Sequence, residues 1–453
     1  MAFDPSIFKA YDVRGIYPTQ LDATVARAIG QAFVAEVEPK TVAVGHDVRA
    51  SGPELYEALI DGLTAAGANV IKIGGISTEQ LYFAVAHFGY DSGICVTASH
   101  NPGEYNGFKM VKKGSEPISG NSGLEAIRDR VERLMATPVT ASVKGEISEQ
   151  DAFPAYKEFI LSFIDTSKLK PMTVVTNANF GYQGQFAARV LESLPITLSQ
   201  LNAEPDGTFP KGRPDPFVPE NRDEFVAKIK AEQPDFGVAW DADADRAFFA
   251  TGDGIFLEAY YMNAILAQAL LAKQPGEKVI YDVRYTWAVI DAVTAAGGEP
   301  IPCRVGSSFI KQALREHNAL FCGESSGHYY FRDYFYCDTG MLPFLLILEL
   351  LSTTGKTLNE LAGDLLSKYV VSGEINRTVE DSAAIIEQLK AKYADATTID
   401  ETDRLTIEYN RDWRFNVRTS NTEPLLRLNV EANSQQLMQA KRDELLALIG
   451  GNA

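Results

Sequence analysis

Thr41-Val42-Ala43-Val44-Gly45 is a strand-length run of β-branched and small apolar residues, and residues 53–66 after it open on Pro53 and set Leu55, Leu59 and Leu63 on one helical face. Val70-Ile71-Lys72-Ile73 then returns to a strand pattern. The same succession recurs twice: strand, helix and strand at residues 173–176, 183–194 and 196–201, and again at residues 278–282, 286–296 and 299–303. Helices of this length predict crossovers between parallel strands, so the chain reads as α/β layers with ligands gathered in the loops that follow the strands. Past about residue 367 the pattern changes. Residues 405–409, 413–417 and 425–430 read as antiparallel strands and residues 437–448 as a closing helix, which predicts an α+β tail.

A chain of 453 residues suggests about three domains at roughly 150 residues each. Composition-based linkers fall near residues 137–150, 252–259 and 367–373. Hydrophobic residues at 45% and charged residues at 23% place the chain among folded globular proteins. Lys plus Arg is 42 against 60 for Asp plus Glu, a net charge of −18 that repels nucleic acid and anionic membranes, so any bound phosphate needs a local positive pocket. The first residues carry no basic stretch followed by an apolar run, and the longest apolar segment, residues 341–351, contains Glu349 and falls short of the ~20 residues of a bilayer span. The expectation is a cytoplasmic protein with no membrane and no nucleic-acid partner. Cys95, Cys303, Cys322 and Cys337 have no C-x-x-C spacing and sit among apolar residues, as buried free thiols do.

Neither a G-x-G-x-x-G nor a Walker A sequence is present, which removes the main support for dinucleotide and P-loop readings. Four other segments carry chemistry. Asp241-Ala242-Asp243-Ala244-Asp245-Arg246 follows the apolar run 236–240; in extended backbone its three carboxylates share one side, a set suited to Mg²⁺. By itself such a triplet is equally a solvated acidic turn, and Arg246 and Gly252 stand where an EF-hand needs Gly and Glu. Val96-Thr97-Ala98-Ser99-His100-Asn101-Pro102 presents Ser99 at a strand end with Lys109 downstream, although the side chains of Ser99 and His100 diverge if the chain is extended, and no nucleophile elbow surrounds the serine. Gly323-Glu324-Ser325-Ser326-Gly327-His328 offers a carboxylate, hydroxyls and an imidazole fit for vicinal sugar hydroxyls. Arg418-Thr419-Ser420-Asn421-Thr422-Glu423-Pro424 suits a phosphate dianion. Each of the last three also reads as an ordinary loop when taken alone.

Together and in this order, with Phe8-Lys9-Ala10-Tyr11-Asp12-Val13-Arg14-Gly15 and Pro219-Glu220-Asn221, the segments resemble the α-D-phosphohexomutase family, most closely its bacterial phosphomannomutase and phosphoglucomutase branch. The resemblance implies four domains around a central cleft, three related α/β units and a C-terminal α+β phosphate-binding domain, here divided as 1–145, 146–252, 253–367 and 368–453. It implies that Ser99 is the phosphoserine and that Ser99, Asp241, Asp243 and Asp245 hold Mg²⁺. Arg14, Lys109 and Arg246 would line the reacting phosphate, with His328 as proton donor or acceptor. Glu324 and Ser326 would read the sugar's 3- and 4-hydroxyls, and Arg418, Ser420, Asn421 and Thr422, with Arg284 in place of a family lysine, would hold the other phosphate.

The implied activity is reversible transfer of a phosphoryl group between the 1- and 6-positions of mannose phosphate, and of glucose phosphate as well, through a bisphosphorylated sugar that also serves as activator. Such an enzyme feeds nucleotide-sugar synthesis and works as a monomer or small homo-oligomer. Ser325, His46, Ser307, Ala242 and Ala244 depart from frequent family residues, and of these Ser307 and Ser325, near the expected substrate, leave sugar preference open. The alternatives are a phosphoglucosamine mutase, a phosphatase using Asp241 as nucleophile, or a silent sugar-phosphate sensor.

Overall fold

The computed structural model describes residues 3–419 and 425–451. They form two compact units, Met1–Phe256 with His328–Gly355, and Leu257–Gly327 with Lys356–Ala453.

The first unit opens with a sheet whose strands lie in the order Val13–Ile16, Tyr105–Lys112, Ser92–Val96, Thr41–His46, Asn69–Gly75 and Ile147–Glu149. The last four run parallel, the helices Gly52–Ala65 and Thr78–Phe88 joining Thr41–His46, Asn69–Gly75 and Ser92–Val96. Leu55, Leu59 and Leu63 are fully buried with Val42, Val44 and Ile94, as the helical spacing of the leucines predicts; each such side chain contributes about 1.5–3 kcal/mol. Tyr105–Lys112 departs from the parallel expectation, pairing antiparallel with both Ser92–Val96 and Val13–Ile16. The reason is chain length. Residues 97–104 are too few for a crossover, which takes a dozen or more, so the chain turns back on itself.

The second sheet repeats this plan. Met172–Asn177 pairs parallel with Ile196–Leu201 and Phe236–Trp240, and Ala247–Thr251 returns antiparallel on Phe236–Trp240 after the acidic segment. The helix Met341–Thr354 belongs to this unit: Phe344 meets Trp240 edge-on at 5.5 Å, and Trp240 Nε1 donates to the Gly340 carbonyl at 2.9 Å. Among the described residues no single helix is long and apolar enough to cross a membrane.

In the second unit, Lys278–Asp282 pairs parallel with Glu299–Cys303 and Phe321–Gly323. The tail forms an antiparallel sheet of Thr398–Asp400, Leu405–Tyr409, Trp413–Thr419 and Leu425–Ala432, with Val370–Val371 and Ile375–Thr378 both on the last strand. The helix Gln435–Ile449 closes it, with Ser434 as N-cap. Buried Arg414 ties this sheet to the parallel one, donating to the carbonyls of Val283 and Arg284 at 2.9 and 2.8 Å and pairing with Glu431, which accepts the Thr286 N–H at 3.0 Å. Three α/β assemblies followed by an α+β tail bear out the fold class read from the pattern. All four cysteines are buried free thiols.

Candidate active site

Both chemistry-bearing segments of the first unit are hairpin connections, and this fixes their geometry. Ser99 is buried with φ of 49°, in the left-handed region that non-glycine residues seldom occupy. Its N–H donates to Thr97 Oγ1 at 2.9 Å, and its Oγ donates to Asp241 Oδ2 at 3.0 Å. The extended backbone that would part Ser99 from His100 is absent, and Ser99 Oγ lies 3.1 Å from His100 Nδ1.

Arg49 holds this conformation. Its buried guanidinium donates to the carbonyls of Ser99, Asn101 and Pro102 at 2.7 Å each and of Tyr105 at 2.8 Å. Asp47 faces Arg49 Nε at 3.2 Å and accepts from Thr97 Oγ1 at 2.7 Å, closing the bracket on the loop's other side.

The acidic segment is a tight turn, which corrects the extended reading. Ala244 has φ of 57°, its N–H reaches the Asp241 carbonyl at 3.1 Å, and the Arg246 N–H reaches Asp241 Oδ1 at 3.3 Å. The turn itself gathers the carboxylates, so that oxygens of Asp241, Asp243 and Asp245 lie within 4.8 Å of one another. Gly181 supports it from below, where a Cβ would stand 2.2 Å from the Ala242 carbonyl. Thr78 grips Asp243 twice, its N–H on the carbonyl at 2.8 Å and its Oγ1 on Oδ2 at 2.6 Å.

The cations converge on the same place. Lys109 Nζ donates to Asp243 Oδ2 at 2.6 Å and to Asp245. Arg246 donates to Asp241 Oδ2 through Nε at 2.9 Å, while Asp215 holds its other arm at 3.2 Å. Arg14 is set by Asp12 and donates to Asn101 Oδ1 of the serine loop at 2.6 Å. His328 Nε2 stands 3.6 Å from Asp245 Oδ1. Ser99, Arg14, Lys109, Asp241, Asp243, Asp245, Arg246 and His328 are therefore brought together.

Burial pushes Asp241 up to about 7 against the pull of Arg246, with Asp245 and Asp243 adding like charge. Burial also works against ionisation of Asp245, but Lys109, His328 and Arg246 overcome it and hold that carboxyl well below the usual range. Burial together with Arg246, Arg14 and Arg213 drives His100 well below its ordinary value, so its imidazole is neutral. Asp243 Oδ1 is buried and accepts no hydrogen bond, a costly state for a carboxylate oxygen unless a cation meets it. Three carboxylates with no thiolate beside them form a donor set that suits a hard divalent cation.

The second unit gathers a different set. Arg284 pairs with Asp282 at 2.8 Å and with Glu324 Oε1 at 3.1 Å, and Ser325 donates to Asp282 through both its N–H at 2.7 Å and its hydroxyl at 3.0 Å. Ser326 lies in the same loop, where the Gly327 N–H turns back to the Glu324 carbonyl at 3.0 Å. Arg418 pairs with Glu374 at 3.1 Å. Ser420, Asn421 and Thr422 lie outside the described residues. Arg49, Thr78, Asp215, Glu374 and Arg427 escaped the sequence reading. Of these, Arg49 alone has a signal that could have found it, the charged pair of Asp47-Val48-Arg49 directly after a strand.

Four family models match: phosphoglucomutase/phosphomannomutase alpha/beta/alpha domains I, II and III over residues 5–137, 154–254 and 258–369, and the C-terminal domain over residues 374–448. A protein of Xanthomonas campestris pv. campestris named for phosphohexose mutases is 45% identical, covering 98% of this chain and 99% of its own. A phosphomannomutase of Escherichia coli is 41% identical over 98% of each chain. The crystal structure of a phosphoglucomutase/phosphomannomutase family protein from Burkholderia thailandensis superposes with a TM-score of 0.89 at 36% identity, covering 99% of both chains. The chain belongs to the phosphoglucomutase/phosphomannomutase family.

Proposed function

We propose that this protein is a phosphohexomutase that moves a phosphoryl group between the 1- and 6-positions of mannose phosphate, and of glucose phosphate as well, through phosphorylated Ser99 and a sugar bisphosphate. The observation that carries this reading is Ser99 Oγ at 3.0 Å from Asp241, inside a ring of three aspartates and three cations. A hydroxyl so placed is a phosphoryl acceptor and donor rather than a turn serine.

Asp241, Asp243 and Asp245, with the serine phosphate, would hold Mg²⁺, which supplies charge neutralisation on the phosphoryl oxygens when bound. Lys109, Arg14 and Arg246 neutralise the equatorial oxygens of the group in transfer. Thr78 and Arg49 keep their supporting loops from moving as charge develops. His328, with its imidazole at Asp245, is the group placed to take the sugar hydroxyl's proton in one direction and return it in the other. In the second unit, Glu324 and Ser326 bind sugar hydroxyls, while Arg284 and Arg418 hold the phosphate that does not react. Because mannose and glucose share the orientation of their 3- and 4-hydroxyls, that pair accepts both. A hexose 1,6-bisphosphate is the priming activator.

The test is a coupled assay with mannose 1-phosphate, glucose 1-phosphate and glucosamine 1-phosphate, with intact mass before and after addition of a sugar bisphosphate. The wild type gains one phosphoryl group and turns over the first two substrates, and both properties vanish in Ser99→Ala. Full turnover in that variant would defeat the assignment, and steady release of inorganic phosphate would convert it to a phosphatase.

A further inference from the structure

Arg418 and Arg427 are directly opposed partners on the antiparallel strands Trp413–Thr419 and Leu425–Ala432. Like charges in that position repel. Arg284 adds a third guanidinium, and one part-buried carboxylate meets all three: Glu374 accepts from Arg418 at 3.1 Å and Arg427 at 3.2 Å and stands 3.6 Å from Arg284. Glu374 is the residue before the strand Ile375–Thr378, whose register on Leu425–Ala432 pairs Asn376 with Arg427 and fixes the carboxylate over the opposed arginines. Burial, and then the charge of Arg284, hold the Arg418 guanidinium below its usual range, and Glu374 is the first charge that opposes them. Arg284 also has carboxylates of its own, Asp282 at 2.8 Å and Glu324 at 3.1 Å, and Asp403 accepts the Val305 N–H at 3.3 Å, so Glu374 is set chiefly against Arg418 and Arg427.

We propose that Glu374 is a built-in competitor for the substrate's phosphate, a carboxylate that a phosphate dianion must displace from Arg284, Arg418 and Arg427. The inference rests on the phosphohexomutase reading for its purpose. A mutase has to release one end of a bisphosphorylated sugar and take the other, so a phosphate site in which no internal anion competed for Arg418 would bind too tightly to let go. An internal anion lowers that affinity and returns to the arginines as the phosphate leaves.

The test is equilibrium binding of inorganic phosphate to the full-length protein in chelator, with neutral glucose as the control ligand. Glu374→Gln is expected to bind phosphate about tenfold more tightly, worth about 1.4 kcal/mol, with glucose binding unchanged and with both KM for hexose phosphate and kcat falling. In an Arg418→Met background the same change should bring no tightening, since the coupling partner is gone. Glu374→Asp, which keeps the charge but draws it back, should fall between and provides the comparison if the Gln protein unfolds. Phosphate binding equal to or weaker than wild type in a folded Gln variant, or equal loss of phosphate and glucose binding, would overturn the proposal and make Glu374 an organiser of the arginines. An absence of mutase turnover in the wild type would instead overturn the functional reading, leaving the binding comparison to decide Glu374 by itself.

Discussion

Arg49→Met removes a side chain that touches no reacting atom, and the structure sets the size of the damage. Four hydrogen bonds from a charged donor to the carbonyls of Ser99, Asn101, Pro102 and Tyr105 are lost, and Asp47 is left as a buried carboxylate with only Thr97 and the Arg49 backbone N–H for company. Burial already pushes Asp47 up in the intact protein, with the Arg49 charge as the main force opposing it. Breaking such a pair by removing one partner costs about 3–5 kcal/mol. Asp47→Asn in the same background should recover part of that, a coupling of about 1–3 kcal/mol in a double-mutant cycle. Catalysis should suffer separately, because without the bracket Ser99 is free to leave φ of 49° for the extended region, and a displacement of about 1 Å costs on the order of 100-fold in rate. Arg49→Lys keeps a cation beside Asp47 but lacks the fork that spans four carbonyls, so it should regain stability without regaining rate. Urea unfolding followed by tryptophan fluorescence measures the first effect, and the rate of Ser99 phosphorylation from a sugar bisphosphate the second. An Arg49→Met protein with the wild-type urea midpoint and phosphorylation rate would refute the bracket.

His100 sets a pH dependence. Its folded-state value lies below the ordinary value of about 6.5, so below that pH the unfolded chain binds a proton that the folded one refuses; stability falls on acidification and is regained above it. His100→Asn should flatten the thermal midpoint between pH 5 and 7, and an unchanged profile would argue against a buried neutral imidazole. Gly107→Ala places a Cβ at 1.8 Å from the Val13 carbonyl, between the strands that carry Arg14 and Lys109; it should destabilise by several kcal/mol, and an unchanged thermal midpoint would mean that the two strands separate easily.

Local pattern made much of this architecture legible. The strands at residues 196–201, 278–282, 299–303 and 405–409 fall where alternation and β-branching predict them. What periodicity does not show is the pair of returning strands: Tyr105–Lys112 and Ala247–Thr251 carry no strand reading in the sequence, and the shortness of the loops before them makes them turn back. Those two reversals create the site: the serine loop and the acidic turn are tight because they are hairpins, and tightness puts Ser99 and Ala244 at positive φ.

The sequence by itself determined the α/β class, the antiparallel tail and the residue types able to carry phosphoryl chemistry, because each depends on spacing along the chain. Tertiary structure alone decided which charges meet. Thr78 on Asp243, Arg49 on four carbonyls, and Glu374 among three arginines join residues distant in sequence. Such contacts leave no periodic trace, since a single buried charge is specified by where the strands place its partners and not by its neighbours in the chain.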